Sequence, residues 1–330
     1  MSIAVVILNW NGKELLQKFM PSVLRHSAEA NIYVADNAST DDSIAFLIST
    51  YPSVRILKNS ENAGYARGYN LALSKLSEDI LVLLNSDVEV TPNWLAPFIR
   101  AFGDDEKLVA AQPKIRDFNN KSYFEYAGAA GGFLDSLGYP FCRGRIFNTV
   151  EKDMGQYDED AEIFWASGAC LVVRNSSFKE AGGFDEDFFS HQEEIDLCWR
   201  LKATGGKVKY IGNSTVYHVG GATLSSANPK KTFFNFRNSL LMLFKNVKGT
   251  KVYWLLFQRM ILDGIAATLF LIQGKPRHFL AVLKAHFSFY SMLPKFRKKR
   301  ETNRSSVYYY KIKSIVWAYF ISNKRIFNNL

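Results

Sequence analysis

Apolar and polar positions along the first hundred residues alternate in blocks rather than one by one. Short, nearly unbroken apolar runs, "IAVVIL" (3–8), "IYVA" (32–35), "VRIL" (54–57) and "ILVLL" (80–84), alternate with amphipathic stretches. Continuous runs of this length predict strands buried on both faces, and helical periodicity between them predicts helices, among them about Lys13 to Arg25 and Tyr65 to Leu76. The "STDD" at 39–42 predicts a helix start, with Ser39 or Thr40 as N-cap and carboxylates in the first turn. Pro92 marks the start of another helix. Strand and helix in this alternation predict an α/β class with a mostly parallel sheet covered on both faces.

Beyond about residue 105 the pattern weakens. The stretch 105–160 is rich in Gly and aromatics without a clear period, and reads as loops and hairpins. "EIFWASGACLVVRNSSF" (162–178) predicts a strand entering a helix cap, "EEIDLCWRLKATGG" (193–206) an amphipathic helix ended by glycines, and "KVKYIG" and "TVYHVGG" two further short strands. After Pro229 the chain turns to long, Phe-rich helical patterns separated by basic residues, which divides it into 1–228 and 229–330. The stretch 252–273 is long enough to span a bilayer, yet Gln258, Arg259 and Asp263 lie inside it. Arg259 and Asp263 stand four apart and can pair on one face, which favours a helix lying in the membrane interface over one crossing it. An ordinary helical packing region with basic exposed faces is the alternative.

Charge sharpens the division. Residues 229–330 hold 20 Lys and Arg against two acids, a net +18, whereas 1–228 carries −8. An acidic body with a basic tail excludes a uniformly basic nucleic-acid binder and points the tail at an anionic membrane surface or a phosphate-bearing lipid. Three cysteines without C-x-x-C spacing argue against a disulfide framework or zinc site and fit a reducing, cytoplasmic compartment. The run 3–8 is too short for a secretory h-region and reads as the first buried strand.

Candidate chemistry gathers at strand ends, where an open α/β sheet places its ligands. Asn9 and Asn11 follow the first strand, Asp36 and Asn37 the second, and Asn85, Ser86 and Asp87 the fourth. Asp87 is a candidate ligand for a hard divalent cation, which one or two carboxylates suffice to hold. "NSENAGYARGYNLAL" (59–73) fits neither a dinucleotide fingerprint nor a P-loop, although a glycine-opened helix start can receive a phosphate or ribose. In "HQEEIDLCWR" (191–200), Asp196 and Arg200 form an i,i+4 pair, leaving Glu193 and Glu194 as candidate general bases. His218, from spacing alone, reads as a core histidine more readily than as a metal ligand.

The ordered set "VVILNWNG", "VADNASTDDS", "NAGYARGYNLAL", "LLNSDVEV", "ASGACLVVR", "GGFDEDFFSHQEEIDLCWRL" and "VYHVGGAT" resembles the motifs of family 2 glycosyltransferases, rhamnosyltransferase-like branch, over about residues 3–245. The resemblance implies a GT-A type nucleotide-binding fold on 1–228, and inverting sugar transfer from a nucleotide diphospho-sugar with Mg²⁺ or Mn²⁺. By position, Asp36 matches the acid that contacts the pyrimidine; Asn9 and Asn11 line the nucleotide pocket; Asn62, Gly64, Gly68 and Asn70 match the loop beside the nucleotide. Asn85, Ser86 and Asp87 match the Asp-x-Asp metal motif, with Asp87 its metal-binding member and Asn85, in place of the first acid, set toward ribose or a metal-bound water. His218 matches a histidine that completes the metal site, which raises the ligand reading. The catalytic Glu-Asp pair reads Glu193-Glu194, with Glu194 the base by position and Glu193 the alternative.

The expectation is a cytoplasmic enzyme peripheral on the inner membrane face, using a UDP- or dTDP-sugar, dTDP-rhamnose first, with a cell-envelope glycan or polyprenyl-diphosphate-linked acceptor. A nucleotidyltransferase would need a second metal acid and a basic phosphate loop, of which "NWNGKELL" supplies only Lys13. A non-catalytic membrane-surface adaptor would explain Asn85 and Glu194, but not the retained Asp87, Glu193 and His218.

Overall fold

The computed structural model describes residues 1–220, 228–302 and 307–330. The four apolar runs are strands. They alternate with helices as β1 (Ile3–Asn9), α1 (Lys13–His26), β2 (Asn31–Asp36), α2 (Ser43–Thr50), β3 (Arg55–Lys58), α3 (Gly64–Leu73) and β4 (Ile80–Asn85). A short β5 (Val88–Val90), α4 (Ala96–Asp104) and the long β6 (Leu108–Asp117) follow. The middle of the chain contributes β7 (Gly132–Asp135), β8 (Pro140–Cys142), β9 (Arg145–Ile146), β10 (Thr149–Val150) and β11 (Ala161–Glu162). Then come β12 (Cys170–Arg174), α5 (Asn175–Glu180), α6 (Glu193–Ala203) and β13 (Lys207–His218). The remainder is α7 (Pro229–Asn246), α8 (Lys251–Ile272), α9 (Pro276–Thr302), β14 (Tyr310–Ile312) and α10 (Ile315–Phe320).

Among the described residues the main sheet has nine strands, ordered β11-β13-β6-β12-β4-β1-β2-β3, with β5 on β13. It is parallel from β3 to β4 and mixed beyond, because β12 runs antiparallel to both β4 and β6. Helices cover both faces. Leu16 and Met20 of α1, Leu47 of α2 and Phe98 and Phe102 of α4 pack on one side; α3 and α6 pack on the other.

The 229–330 helices share that second core. Leu240, Leu243, Phe289 and Phe296 belong to the same apolar cluster as Leu197 and Trp199 of α6. Charge reinforces the junction: Asp196, fully buried, meets Arg200 and Lys245 each at 2.8 Å, and Asn246 donates to it at 2.8 Å. Lys245 also reaches Asp185 at 2.7 Å, and Lys299 pairs with both Asp185 and Asp187. β14, in a stretch read as helical, instead pairs in parallel with β7.

Three details differ from the pattern reading. β6 is a ten-residue strand within the expected loops. "KVKYIG" and "TVYHVGG" are parts of one strand, β13, whose pairing with β6 shifts register between Ile211 and Thr215. Neither Ser39 nor Thr40 is the N-cap of α2: that place falls to Asp42, without a side-chain bond of its own, while Asp41 accepts from the amide of Ser43 at 3.1 Å. The stretch also ties down the neighbouring loop: Ser39 Oγ accepts from the Asn11 amide at 2.9 Å, and Asp41 Oδ2 from that of Lys13 at 3.1 Å.

Candidate active site

Parallel register brings the polar strand ends to one edge. Asn9 lies opposite Asp36, and Leu8 opposite Asn85. At this corner Asn9 Nδ2 donates to Asp36 Oδ1 at 3.2 Å and to Ser39 Oγ at 3.1 Å, while Asp36 Oδ2 accepts from the Ser39 amide. Asn9 Oδ1 is buried without a partner, an acceptor kept open beside a buried carboxylate. A Cβ on Gly12 would stand 2.5 Å from that oxygen and 4.0 Å from Ser86 Oγ, so the glycine preserves the opening. Asn11 adopts φ 50° and accepts from the Thr40 amide at 2.7 Å, tying the first two strand ends together. A depression of about 380 Å³ lined by Asn11, Gly12, Lys13, Asp41 and Asp42 adjoins it.

Asn37 organises the next loop. Its Nδ2 donates to Asn62 Oδ1 and Gly64 O, both at 3.0 Å, and its Oδ1 accepts from Asn59 at 3.1 Å. A Cβ on Gly68 would press on the Asn37 amide at 3.0 Å, so Asn62, Gly64 and Gly68 are brought together through Asn37. Asn70 is placed differently. Both ends of its amide bond the Phe184 backbone at 2.9 Å, and Nδ2 also reaches Glu186 at 3.1 Å.

Asp87 ends the turn after β4, where β5 pairs antiparallel with the last residues of β13 and sets His218 opposite Val88. His218 Nε2 lies 3.1 Å from Asp87 Oδ1 and 3.4 Å from Asn85 Nδ2, and both members of the Asp87–His218 pair are buried. Behind the ring, Glu125 comes within 3.4 Å of Nδ1, a charge contact without the direction of a good hydrogen bond. Burial opposes a charged imidazole, but the close contact with Asp87 and the negative charges of Asp87 and Glu125 outweigh it and lift His218 to about 10. Glu125 carries no pattern in the sequence that could have singled it out. Among the described residues no three His, Cys, Asp or Glu side chains converge as a self-sufficient metal cage. Asp87 and His218, once a bound cation displaces the imidazole proton, form a two-residue set of the kind that holds a divalent cation when substrate phosphate and water complete the shell. Gly221 to Thr223, the end of "VYHVGGAT", lie outside the described residues.

The candidate bases open α6. Glu193 is 4% exposed and Glu194 is partly exposed; one carboxylate oxygen of each, Oε2, is buried without a partner. Burial and the charge of Glu194 push Glu193 well up, while burial, against backbone hydrogen bonds, brings Glu194 to about 7. The segment before them is unusual: Phe189, His191 and Gln192 all sit at left-handed φ, 64°, 70° and 74°. That conformation is over-determined from α7. Asn238 Nδ2 donates to the carbonyls of Phe188, Ser190 and His191 at 2.7–2.9 Å, and Arg237 reaches those of Asp187 and Phe188. Neither Arg237 nor Asn238 was marked by the sequence pattern, since a polar pair on a helix ordinarily faces water.

The groups are joined by backbone. Asn85 N donates to Ala169 O at 3.0 Å, Tyr65 Oη donates to Gly168 O at 2.9 Å, and the Tyr65 amide donates to Phe189 O at 3.0 Å. Thus the "ASGA" segment is tied directly to the end of β4 and, through Tyr65, to the segment that precedes Glu193 and Glu194.

The glycosyl transferase family 2 model matches residues 4–182, more than half the chain. The chain therefore belongs to glycosyl transferase family 2: it is a glycosyltransferase with a GT-A fold, in the rhamnosyltransferase-like branch. It is similar to the N-acetylglucosaminyl-diphospho-decaprenol L-rhamnosyltransferase of Mycobacterium tuberculosis, with 27% identity across 66% of this chain and 75% of the relative. Rhamnosyltransferase WbbL of Escherichia coli K12 is 22% identical over 63% of this chain and 80% of its own. Among solved structures, GalNAc-T7 with UDP, GalNAc and Mn²⁺ superposes with a TM-score of 0.63 at 17% identity, covering 98% of this chain and 57% of that one. TarS 1–349 of S. aureus with UDP-GlcNAc gives 0.58 at 13%, over 92% and 89%.

Proposed function

We propose that the protein is an inverting, metal-assisted glycosyltransferase that moves a sugar, rhamnose first, from a dTDP- or UDP-sugar to a lipid-linked or cell-envelope glycan. The observation that carries this is the pairing of Asp87 with His218 at 3.1 Å beyond the strand edge, together with two carboxylates at the start of α6 bearing unpartnered buried oxygens. Asn9 and Asp36 receive the base and Asn62 and Gly64 border the nucleotide; the open acceptor Asn9 Oδ1 supports such a pocket. Asp87 and His218 hold Mg²⁺ or Mn²⁺, which when bound supplies Lewis-acid stabilisation of the diphosphate leaving group. Glu194, partly exposed and poised near neutrality, takes the proton of the acceptor hydroxyl as its oxygen displaces the diphosphate and inverts the anomeric carbon. Glu193, deeper and pushed further toward its neutral form by burial and the charge of Glu194, is the weaker candidate. Rhamnose and a polyprenyl-diphosphate acceptor are supported by the mycobacterial relative, whose name states both. The acceptor, and the basic 229–330 region, support a place on the inner face of the cell membrane.

Calorimetric titration of UDP and dTDP, with and without Mn²⁺, into wild type and Asp87→Ala tests the site. Metal-dependent binding lost in Asp87→Ala is expected, and the tighter nucleotide names the donor class. Failure of both nucleotides to bind under every condition removes the reading. Asn238→Ala should lower kcat by up to about 10²-fold by releasing the segment that aims Glu194, while nucleotide affinity stays near wild type. Steady-state kinetics beside the titration checks the split.

A further inference from the structure

The outer surface of the α8–α9 hairpin carries a long apolar stripe on each helix. On α8, Tyr253, Phe257, Ile261, Ile265 and Leu269 recur every fourth residue and are all exposed, and Trp254 at 63% and Ile272 at 76% widen the stripe. On α9, Leu280, Leu283, Phe287 and Tyr290 form a second exposed stripe, with Phe287 at 74%. A patch of this extent on a water-facing surface is a binding face rather than scatter.

Charge says what covers it. Lys251, Arg277 and Lys284 stand exposed on the same two helices, and Lys275 in the turn between them. The acid of α8, Asp263, is fully buried against His286 at 3.2 Å. Two copies meeting through this face would bring like charges together, whereas an anionic lipid surface is complementary to both its apolar stripes and its cations. Trp254 and the two tyrosines are the residue types that settle at a bilayer interface.

The inner side decides how the hairpin meets lipid. Arg259 donates to Leu137 O at 2.8 Å and to Ser239 Oγ at 2.9 Å, and its guanidinium lies 3.8 Å from the Tyr139 ring centre. By length and composition α8 could cross a membrane. Crossing would pull Arg259 and Asp263 out of these contacts, whereas lying flat leaves them in place.

We propose that the exposed face of the α8–α9 hairpin inserts side-on into an anionic bilayer and sets the mouth of the candidate site at membrane level. The link is short. His278, at the start of α9, bonds Thr232 of α7 at 2.8 Å, and two residues on, Phe234 stacks on Phe189 of the segment before Glu193. The purpose of this placement rests on the lipid-linked-acceptor reading; the membrane contact itself does not.

The test is co-sedimentation of the full chain with vesicles of phosphatidylcholine alone or mixed with phosphatidylglycerol. Wild type should bind the anionic vesicles far better. Trp254→Glu/Phe257→Glu/Ile265→Glu should lose binding by about tenfold or more, since three inserted side chains are withdrawn, and Lys275→Glu/Arg277→Glu should lose it on anionic vesicles alone. All substituted residues are exposed, and circular dichroism and thermal melting confirm that each variant is folded. Absence of wild-type binding to either vesicle overturns the proposal, as does a wild-type dimer in sedimentation equilibrium that the triple variant dissolves. Vesicle binding without nucleotide binding would leave this inference standing and sink the transferase chemistry; the reverse would do the opposite.

Discussion

Glu194→Gln is expected to lower kcat by about 10²–10⁴-fold, the range for losing a positioned general base, with donor affinity nearly unchanged. Glu193→Gln should cost far less, because burial and the charge of Glu194 push that side chain toward its neutral form and glutamine copies the neutral acid in size. A reversal of the two results would move the base to Glu193. The pH profile adds an independent sign. A base must be ionised, so wild-type turnover should climb as pH rises through about 7, the value to which burial brings Glu194. Of the other groups near it, Tyr65 is pushed above its ordinary 10 by burial and Asp196 is held below its ordinary 3.8, so neither titrates in that window. The same shift acts oppositely on the fold. Stability linked to the neutral Glu194 is complete below its ordinary 4.5 and drains as pH rises through about 7.

The largest loss of stability is expected from Lys245→Ala. Asp196 is wholly buried, and burial alone would raise its pKa, but the charges of Lys245 and Arg200 win and hold it well below its ordinary 3.8. Removing Lys245 strips that carboxylate, and Asp185 with it, of a buried partner. Breaking a buried pair typically costs about 3–5 kcal/mol, and the surviving Arg200 argues for the lower end. Denaturant or thermal melts of the purified chain measure it, and a loss below about 1 kcal/mol would mean that the pair behaves like a surface one. The depressed carboxylate also fixes a direction: its contribution is full above about pH 4 and is lost as pH falls through its folded value.

The first half of the sheet was legible because strands buried on both faces must be nearly continuous in apolar residues, and β1, β2 and β4 are. Their polar ends followed from the same rule, since an amide or carboxylate closing such a run has the strand edge as its place. β6 hid behind Gln112, Pro113 and Lys114, which read as a loop. In the fold, Gln112 is fully buried yet satisfied by the carbonyls of Pro113 and Gly128 and by the Ser167 amide, and Lys114 pairs with Asp153 and Asp158. Polar residues with partners far along the chain defeat a window-based pattern. Glu125 and Asn238 were hidden for the same reason, each meeting its partners through contacts nearly fifty or more positions away. Asn70 shows the converse. Position within a motif suggested a nucleotide contact, while its amide is occupied by the Phe184 backbone.

The ion pairs joining Asp185, Asp187 and Asp196 to Lys245, Lys295 and Lys299 bear on how such enzymes can be recombined. A cut near residue 228 looks natural, yet it would part each aspartate from its lysines. It would also part the strained Phe189–Gln192 segment from the Asn238 that holds it. A chimaera that exchanged the helical region alone would leave Asp185 and Asp187 without their lysines, Asp196 with Arg200 alone, and the segment before α6 without its clamp. The interchangeable block therefore begins upstream of Asp185, and a swap of membrane-facing helices carries the segment bearing Glu193 and Glu194 with it.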